Sequence, residues 1–180
     1  MFKLLLLVMA IALSGCNCED TSHNNDKPHI DIADAGALAD SSLPVASFLN
    51  GDDWEIALPG GWKITESPDP SVKLFALNNT GNNILSLEKL LTSSSYDKFV
   101  LERIRFLRDM EADILVTKSV QLNSHPFVMI ESYQNNLRVW TWVTTKNNVG
   151  FIITCGGLDL ESKSNHIVCD VVADSFKIRL

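Results

Sequence analysis

The sequence predicts an α+β domain in which an antiparallel β-sheet is sandwiched by helices, after a signal peptide and a flexible linker. Three observations lead to this fold class. Short runs with two-residue hydrophobic alternation recur along the chain, turn-forming residues separate many of them, and two helical patterns interrupt the series. Several connections are only two to four residues long, which predicts antiparallel neighbours.

A short apolar run at the N-terminus has the form of an export signal. Lys3 gives it a basic start, residues 4–13 are almost all apolar, and the small residues Ser14 and Gly15 follow. About ten apolar residues are too few for a membrane-spanning helix, which needs about twenty, but they suit the hydrophobic region of a secretory signal. We therefore expect residues 1–15 to be a signal peptide.

The end of this run, Leu13-Ser14-Gly15-Cys16, resembles the lipobox of bacterial lipoproteins. The resemblance implies cleavage before Cys16 and acylation there, so that acyl chains anchor the mature protein in the lipid bilayer. It also implies a place in the cell envelope, facing the periplasm, and Asn17 favours the outer over the inner membrane. The alternatives are an ordinary cleaved signal with a chance cysteine, or a short buried helix.

Residues 16–43 have the composition of a flexible linker. They are rich in Asn, Asp, Ser, Ala and His and offer little to bury, which predicts a lipidated, disordered tether. His29, Asp31 and Asp34 could be read as metal ligands, but a solvated linker accounts for them, and no metal site is expected. For Cys18 three readings stay open: a free thiol, a disulfide between chains, or an inert neighbour of the acylated cysteine.

The α+β domain is predicted over residues 44–180. In WEIAL, alternation places Trp54, Ile56 and Leu58 on one face of a strand, and the pattern restarts at Trp62 after Pro-Gly-Gly. Two further strands, VKLFALN and NILSLEKLL, are joined by a cluster of Asn, Thr and Gly residues that is typical of a turn.

A helix is predicted to begin at Ser95, since a hydroxyl there suits an N-cap. At about 100° per residue, its apolar side chains share one arc and its charged side chains lie opposite. The apolar arc comprises Tyr96, Phe99, Val100, Leu107, Met110 and Ile114, and the charged side comprises Lys98, Glu102, Arg105 and Asp109.

Arg103 projects into the middle of the apolar arc of this helix. An unpaired buried guanidinium is costly, so Arg103 must find a partner or extend its charged end to solvent. The first reading is a structural, ion-paired or solvent-reaching arginine. The second is an arginine that faces an anionic ligand in a cleft between helix and sheet.

Four strand-like runs follow, ILVTKSVQL, FVMIESYQ, LRVWTWVTT and VGFIITC, separated by short turns that contain Asn. The third run places Trp140 and Trp142 on one face, which we expect a helix to cover. The alternative is a ligand platform, and together with Arg103 these two residues define a possible cleft.

The last helix is predicted within LESKSNHIVCDVVADSF, and FKIRL closes the chain as a strand. The residues of this helix segment that are predicted to face inward are Ile167, Val168, Val171, Val172 and Phe176. Cys155 ends the preceding strand and Cys169 lies on the inner side of the helix. Because export leads to an oxidising compartment, we expect these two cysteines to form a disulfide; a metal or redox pair is the alternative, but their spacing is not Cys-x-x-Cys.

Charge and motifs limit the function classes. The net charge is −7, and it becomes −8 when residues 1–15 with their single lysine are removed, so nucleic-acid binding is not expected. No glycine-rich phosphate loop, no Gly-x-Ser-x-Gly motif and no zinc spacing of the four histidines is present. We therefore predict no catalytic residues, no cofactor and no enzymatic activity.

Two segments, IALPGGW at residues 56–62 and ADSF at residues 173–176, resemble the PsbP-like superfamily, which includes the DcrB-like envelope lipoproteins of bacteria. The resemblance covers the chain from about Phe48 to its end and implies an antiparallel sheet sandwiched by helices. Members mostly bind other proteins and share no catalytic motif. It implies a non-catalytic accessory module with an envelope protein as partner. The alternatives are an immunity lipoprotein that neutralises a toxin delivered to the periplasm, and a carrier of a small molecule or lipid.

Overall fold

A computed structural model describes residues 31–33, 45–67, 69–159 and 162–179. Within these ranges the chain forms eleven strands and two helices. The strands are β1 (Asp31–Ala33), β2 (Val45–Asn50), β3 (Trp54–Pro59), β4 (Trp62–Ile64), β5 (Val72–Asn78), β6 (Asn83–Leu91), β7 (Asp113–Leu122), β8 (His125–Gln134), β9 (Leu137–Lys146), β10 (Val149–Leu158) and β11 (Lys177–Ile178), and the helices are α1 (Tyr96–Asp109) and α2 (Ser162–Ser175).

The described strands form two antiparallel sheets. The large sheet has the order β4-β5-β6-β10-β9-β8-β7, and the small sheet has the order β1-β2-β3-β11. Helix α1 packs on one face of the large sheet, while α2 and the small sheet pack on the other. The predicted sandwich of helices around an antiparallel sheet is confirmed, and the small sheet completes the α2 side.

Two-residue turns connect β7 through β10 into a meander. Every residue in these turns has a positive φ, between 48° and 64°, as the type I′ hairpin requires at both central positions. Asparagine reaches this left-handed region more readily than most residues, which explains the turn composition. The turns are Asn123-Ser124, Asn135-Asn136 and Asn147-Asn148.

Helix α1 begins as predicted, because the Ser95 hydroxyl accepts a hydrogen bond from the Lys98 backbone N–H. Its inner residues Phe99, Val100 and Leu107 pack on the large sheet. The predicted arc was too long: the helix ends at Asp109, and Ile114 lies in β7. Glu111, with a φ of 63°, reverses the chain at this point.

Helix α2 packs through a narrower set of residues than predicted. Its buried side chains include Asn165, Cys169, Val172 and Ala173, whereas Val168 and Val171 are only half-buried. Ile167 is 56% exposed, so its predicted inward position was wrong. The disulfide cysteine fixes which arc of the helix meets the sheet, and Ile167 lies on nearly the opposite side from Asn165 at about 100° per residue. Phe176, which directly follows the helix, is buried as predicted.

The structure differs from the predicted tether at one point. Residues 31–33 form β1, which pairs with β2 in the register of Ile32 with Leu49. The backbone N–H and C=O groups of an edge strand are open to such pairing, which does not depend on a large apolar content.

Candidate functional site

The lipidation site predicted at Cys16 lies outside the described residues, as do Cys18, His29 and Asp34. Asp31 is described as the first residue of β1. In the described part of the chain, no group of three or more His, Cys, Asp or Glu residues could hold a metal ion, and no helix has the length and apolar content needed to cross a membrane.

Cys155 and Cys169 are joined in a disulfide, with their Cα atoms 5.5 Å apart. Both are almost fully buried, at 0% and 1% exposed. The bond connects β10 to α2, so it holds the helix against the sheet face that carries the tryptophan pair.

Arg103 lies on the side of α1 that faces the large sheet, and its contacts are with neighbouring protein side chains. Its side chain is 9% exposed, and its Nη2 lies 3.3 Å from Oε1 of Glu88 on β6. Its guanidinium carbon is 4.9 Å from the ring centroid of Phe106, a cation–π distance. These contacts fit the reading of an ion-paired structural arginine, although Nε has no hydrogen-bond partner.

Trp140 and Trp142 lie on the other face of the large sheet, in the core beneath α2, and are 2% and 3% exposed. The sheet therefore separates them from Arg103, and the three residues do not share a cleft. Alternation correctly places both tryptophans on one face of β9. It does not tell which helix covers that face, because this depends on how the chain crosses over the sheet.

A pocket of about 160 Å³ lies beside Trp140, where α2 meets β8 and β9. We call it the α2 pocket. Its lining residues are Glu131, Arg138, Trp140, Lys163 and His166. These side chains comprise two cations, a carboxylate and two aromatic rings, a combination that can contact both polar and apolar groups.

Ion pairs organise the sheet side of the α2 pocket. Arg138 Nε donates to Oε1 of Glu131 at 2.7 Å, and Arg138 Nη1 lies 3.6 Å from Oδ1 of Asp159. Glu131 is the more buried member of the first pair, with 15% of its side chain exposed against 34% for Arg138. Lys163 is exposed, and its positive charge is not paired with the carboxylate of any described residue.

The helix side of the pocket is aromatic. The His166 ring is 5.0 Å from the Trp140 ring, with the planes inclined by 33°. His166 Nε2 lies 3.4 Å from Oδ2 of Asp170, one turn further along α2. The indole Nε1 of Trp140 is buried without a hydrogen-bond partner. His166 therefore covers the tryptophan and remains in contact with solvent.

Sequence reasoning included Trp140 among its candidates but missed the rest of this pocket. Alternation along β9 places Arg138 on the same face as Trp140, and this signal could have been read. The pairing of Glu131 with Trp140 across β8 and β9 needs the register. The approach of Lys163 and His166 needs the packing of α2, which no local pattern specifies.

Comparison with known proteins identifies the fold but no close relative. No protein-family model matches the chain, and no curated protein matches its sequence. Several solved structures are similar. Cyanobacterial PsbP (CyanoP) from Synechocystis has a TM-score of 0.60 and 14% identity, over 81% of this chain and 98% of its own.

The second is the Ran-binding protein Mog1p of Saccharomyces cerevisiae, with a TM-score of 0.51 and 10% identity over 70% of this chain and 90% of its own. The third is LpqN, involved in cell envelope biogenesis of Mycobacterium tuberculosis, with a TM-score of 0.50 and 12% identity over 84% of this chain and 92% of its own. At these identities the likeness concerns the fold alone. The described domain has a PsbP-like fold.

Proposed function

We propose that this chain is a membrane-anchored lipoprotein of the bacterial cell envelope whose PsbP-like domain binds a partner protein without catalysing a reaction. The anchor is the acylated Cys16, the domain faces the periplasm, and the outer membrane is favoured. The partner is a protein of the envelope.

The α2 pocket is the observation that carries the binding role. Its volume of about 160 Å³ is smaller than the ~300–1,000 Å³ typical of sites that enclose a free small molecule. A pocket of this size accommodates one side chain of a larger partner. Its polar residues Arg138, Lys163 and His166 are exposed or half-exposed, as expected of a surface that meets a protein.

Two structural neighbours support this direction. Mog1p is described as Ran-binding, and LpqN as involved in cell envelope biogenesis. The same fold therefore occurs in a protein that binds another protein and in a protein of the cell envelope, which is consistent with an envelope binding module. A fold by itself does not determine a function.

The anchor is tested by metabolic labelling of the full-length chain with radioactive palmitate. We expect label and membrane association in the native protein, and loss of both in Cys16→Ala. Cys18→Ala is the matched control and should behave as the native protein does. Equal labelling of native protein and Cys16→Ala would overturn the anchor.

The binding role is tested by affinity capture of the tagged full-length chain from detergent-solubilised envelopes of the native strain, with partners identified by mass spectrometry. We expect one partner near stoichiometric amount. Capture of a toxin, with toxicity on deletion of this gene, would instead establish an immunity role. No partner, together with a co-purifying small molecule in native mass spectrometry, would overturn protein binding in favour of a carrier.

A further inference from the structure

Strand β7 is an open edge of the large sheet. We propose that an extended segment of the partner protein adds to β7 as a further antiparallel strand, with an acidic side chain opposite Lys118. This inference rests on the proposed function, because the added segment belongs to the bound protein, and it names the surface that holds that protein.

The length of β7 distinguishes it from the other edge strands. It stands at the end of the large sheet and, among the described strands, pairs only with β8. It has ten residues, whereas the other end strands β4, β1 and β11 have three, three and two. An edge strand presents a row of backbone N–H and C=O groups that another chain can pair with. An antiparallel neighbour continues the pairing of β7 with β8 and of β8 with β9, and is slightly more stable per residue than a parallel one.

The register of the β7–β8 hairpin shows which backbone groups are open. A two-residue turn of this type is flanked by a hydrogen-bonded pair, here Leu122 and His125, and the register continues unbroken back to Val116. Because hydrogen bonding to β8 alternates along the strand, every second residue directs its N–H and C=O away from β8. These residues are Thr117, Ser119 and Gln121. No backbone hydrogen bond from another described segment reaches them.

The middle of β7 is uncovered on both faces. All residues from 115 to 119 are exposed, so side chains that point towards the α1 side and side chains that point towards the α2 side are both open to solvent. Leu115 and Val116 are 47% and 41% exposed, although both are large apolar residues. An added strand would cover part of this apolar surface and gain stability from its removal from water.

The edge is continuous with the α2 pocket. Val116 on β7 is the register partner of Glu131 on β8, and Glu131 is the register partner of Trp140 on β9. Glu131 and Trp140 line the pocket, so its nearer wall is one strand spacing, about 4.8 Å, from the edge strand. A protein that places one side chain in the pocket therefore has β7 within reach of its neighbouring backbone.

Lys118 provides the charge that the added strand meets. It is exposed and forms no ion pair with a described residue, and its register partner on β8 is the neutral Met129. The carboxylate of Glu131, two residues further along β8, is bound to Arg138 at 2.7 Å. Since the backbone of Lys118 bonds to β8, Lys118 meets the added strand in a non-hydrogen-bonded pair, where opposite side chains lie closest. A carboxylate at that position is attracted and a cation is repelled, so Lys118 favours an acidic strand over a basic one.

The first test adds two capped peptides to the isotopically labelled full-length chain in detergent and follows its amide resonances by NMR. The peptides are acetyl-Thr-Val-Glu-Val-Thr-amide and the same peptide with both valine nitrogens methylated. With Glu opposite Lys118, the two valines bond to Thr117 and Ser119, so methylation removes the donors that the pairing needs. We expect the unmodified peptide to shift the amide resonances of Thr117 and Ser119 and the methylated peptide to leave them unchanged. Replacing the Glu of the peptide with Lys should weaken binding by about tenfold.

A proline variant tests the same edge within this chain. Ser119→Pro removes one outward N–H without breaking the β7–β8 ladder, because Ser119 does not bond to β8. It should abolish the shift of the Thr117 resonance on adding the unmodified peptide, and it should abolish capture of the partner protein.

The matched control is Ile64→Pro in β4, at the opposite edge of the large sheet. The Thr65 N–H bonds to the Phe75 C=O, so the N–H of the neighbouring Ile64 points outward. This variant should retain both responses. Thermal unfolding shows whether each variant is folded; if Ser119→Pro is not, the comparison of the two peptides on the native chain decides.

Equal responses to the unmodified and methylated peptides, or equal losses in Ser119→Pro and Ile64→Pro, would overturn the assignment. If the Thr117 and Ser119 resonances instead shift with protein concentration in the absence of peptide, β7 pairs with a second copy of this chain and not with a partner's strand. Affinity capture separates the two levels of the argument. If folded Ser119→Pro still captures the partner, protein binding stands and β7 is not its site; if the native chain captures none, the proposed function itself fails.

Discussion

Nη2 of Arg103 on α1 lies 3.3 Å from Oε1 of Glu88 on β6, and both side chains are largely buried between the helix and the large sheet. The pair explains why a guanidinium can occupy the apolar arc of an amphipathic helix. It also means that the two charges depend on each other, since removing one leaves the other without a partner in a low-dielectric environment.

Arg103→Met should therefore lower the free energy of unfolding by about 2–3 kcal/mol, because Glu88 loses its partner. Glu88→Gln should also destabilise the domain. The double variant should be less unstable than the sum of the two single changes by about 1 kcal/mol, as expected for a contacting pair. Urea denaturation of the four proteins measures this; additive effects would contradict a coupled pair. Capture of the partner protein should survive Arg103→Met, since Arg103 lies on the face opposite the α2 pocket.

The disulfide gives a second prediction. Cys155 and Cys169 are separated by 14 residues, and a closed loop of this length contributes about 3 kcal/mol in the chain-entropy model. Replacing both with Ala should lower the free energy of unfolding by about that amount. As a control, adding reductant should lower the stability of the native protein and leave that of the double variant unchanged. If a thiol reagent labels Cys155 and Cys169 in the native, non-reduced protein, the disulfide is absent.

Glu55 predicts a dependence of stability on acid pH. Its pKa is held below the usual glutamate value of 4.5, chiefly because Lys177 donates a hydrogen bond to its carboxylate; desolvation raises the pKa, and Arg179 lowers it further. A carboxyl with a depressed pKa in the folded state contributes stability above its unfolded pKa. That contribution is lost as the pH falls through the folded pKa.

We therefore expect the native protein to lose stability as the pH is lowered below about 4.5, and Glu55→Gln to lose less over the same range. Asp52→Asn, which removes a nearby negative charge outside the Lys177 contact, is the control and should retain the native acid dependence. The unfolding temperature of each protein, measured between about pH 6 and about pH 3, tests this. That range brackets the pKa of a glutamate carboxyl in the unfolded chain. Parallel curves for the native protein and Glu55→Gln would contradict the prediction.

The turn between β9 and β10 predicts a contrast between two substitutions at one position. Asn147 has a φ of 51°, in the left-handed region. Asn147→Ala should destabilise the domain by about 1 kcal/mol, because a Cβ without a polar group is disfavoured there, whereas Asn147→Gly should be nearly neutral. Thermal unfolding distinguishes the two, and equal effects would mean that the turn does not keep this conformation in solution.

Much of the local structure follows from the sequence because it depends on neighbouring residues. Alternation locates the strands, the hydroxyl of Ser95 caps α1, and consecutive Asn residues mark turns that need a positive φ. The same local rules extended α1 to Ile114, because an apolar residue continues a helical arc and a strand face equally well. The bend at Glu111 decides between them, and its left-handed conformation is not evident from the residue type.

The disulfide and the α2 pocket show where local rules end. Cys155 and Cys169 could be paired from their number and expected compartment, since only a few arrangements were possible. Local patterns suggest a possible cleft that contains Arg103, Trp140 and Trp142, because each of these residues is unusual in its own segment. The large sheet lies between them, and the order in which strands join that sheet is a property of the whole chain.

The sequence by itself determined the fold class, the cap and turns, and the expectation of a lipid anchor at Cys16, because each depends on residues close together along the chain. Only the tertiary structure decided that Arg103 meets Glu88, that Ile167 faces outward, and that Arg138, Lys163 and His166 gather beside Trp140. These contacts join segments far apart in the chain. They depend on register and helix placement, which are fixed by the packing of the complete core and not by any single segment.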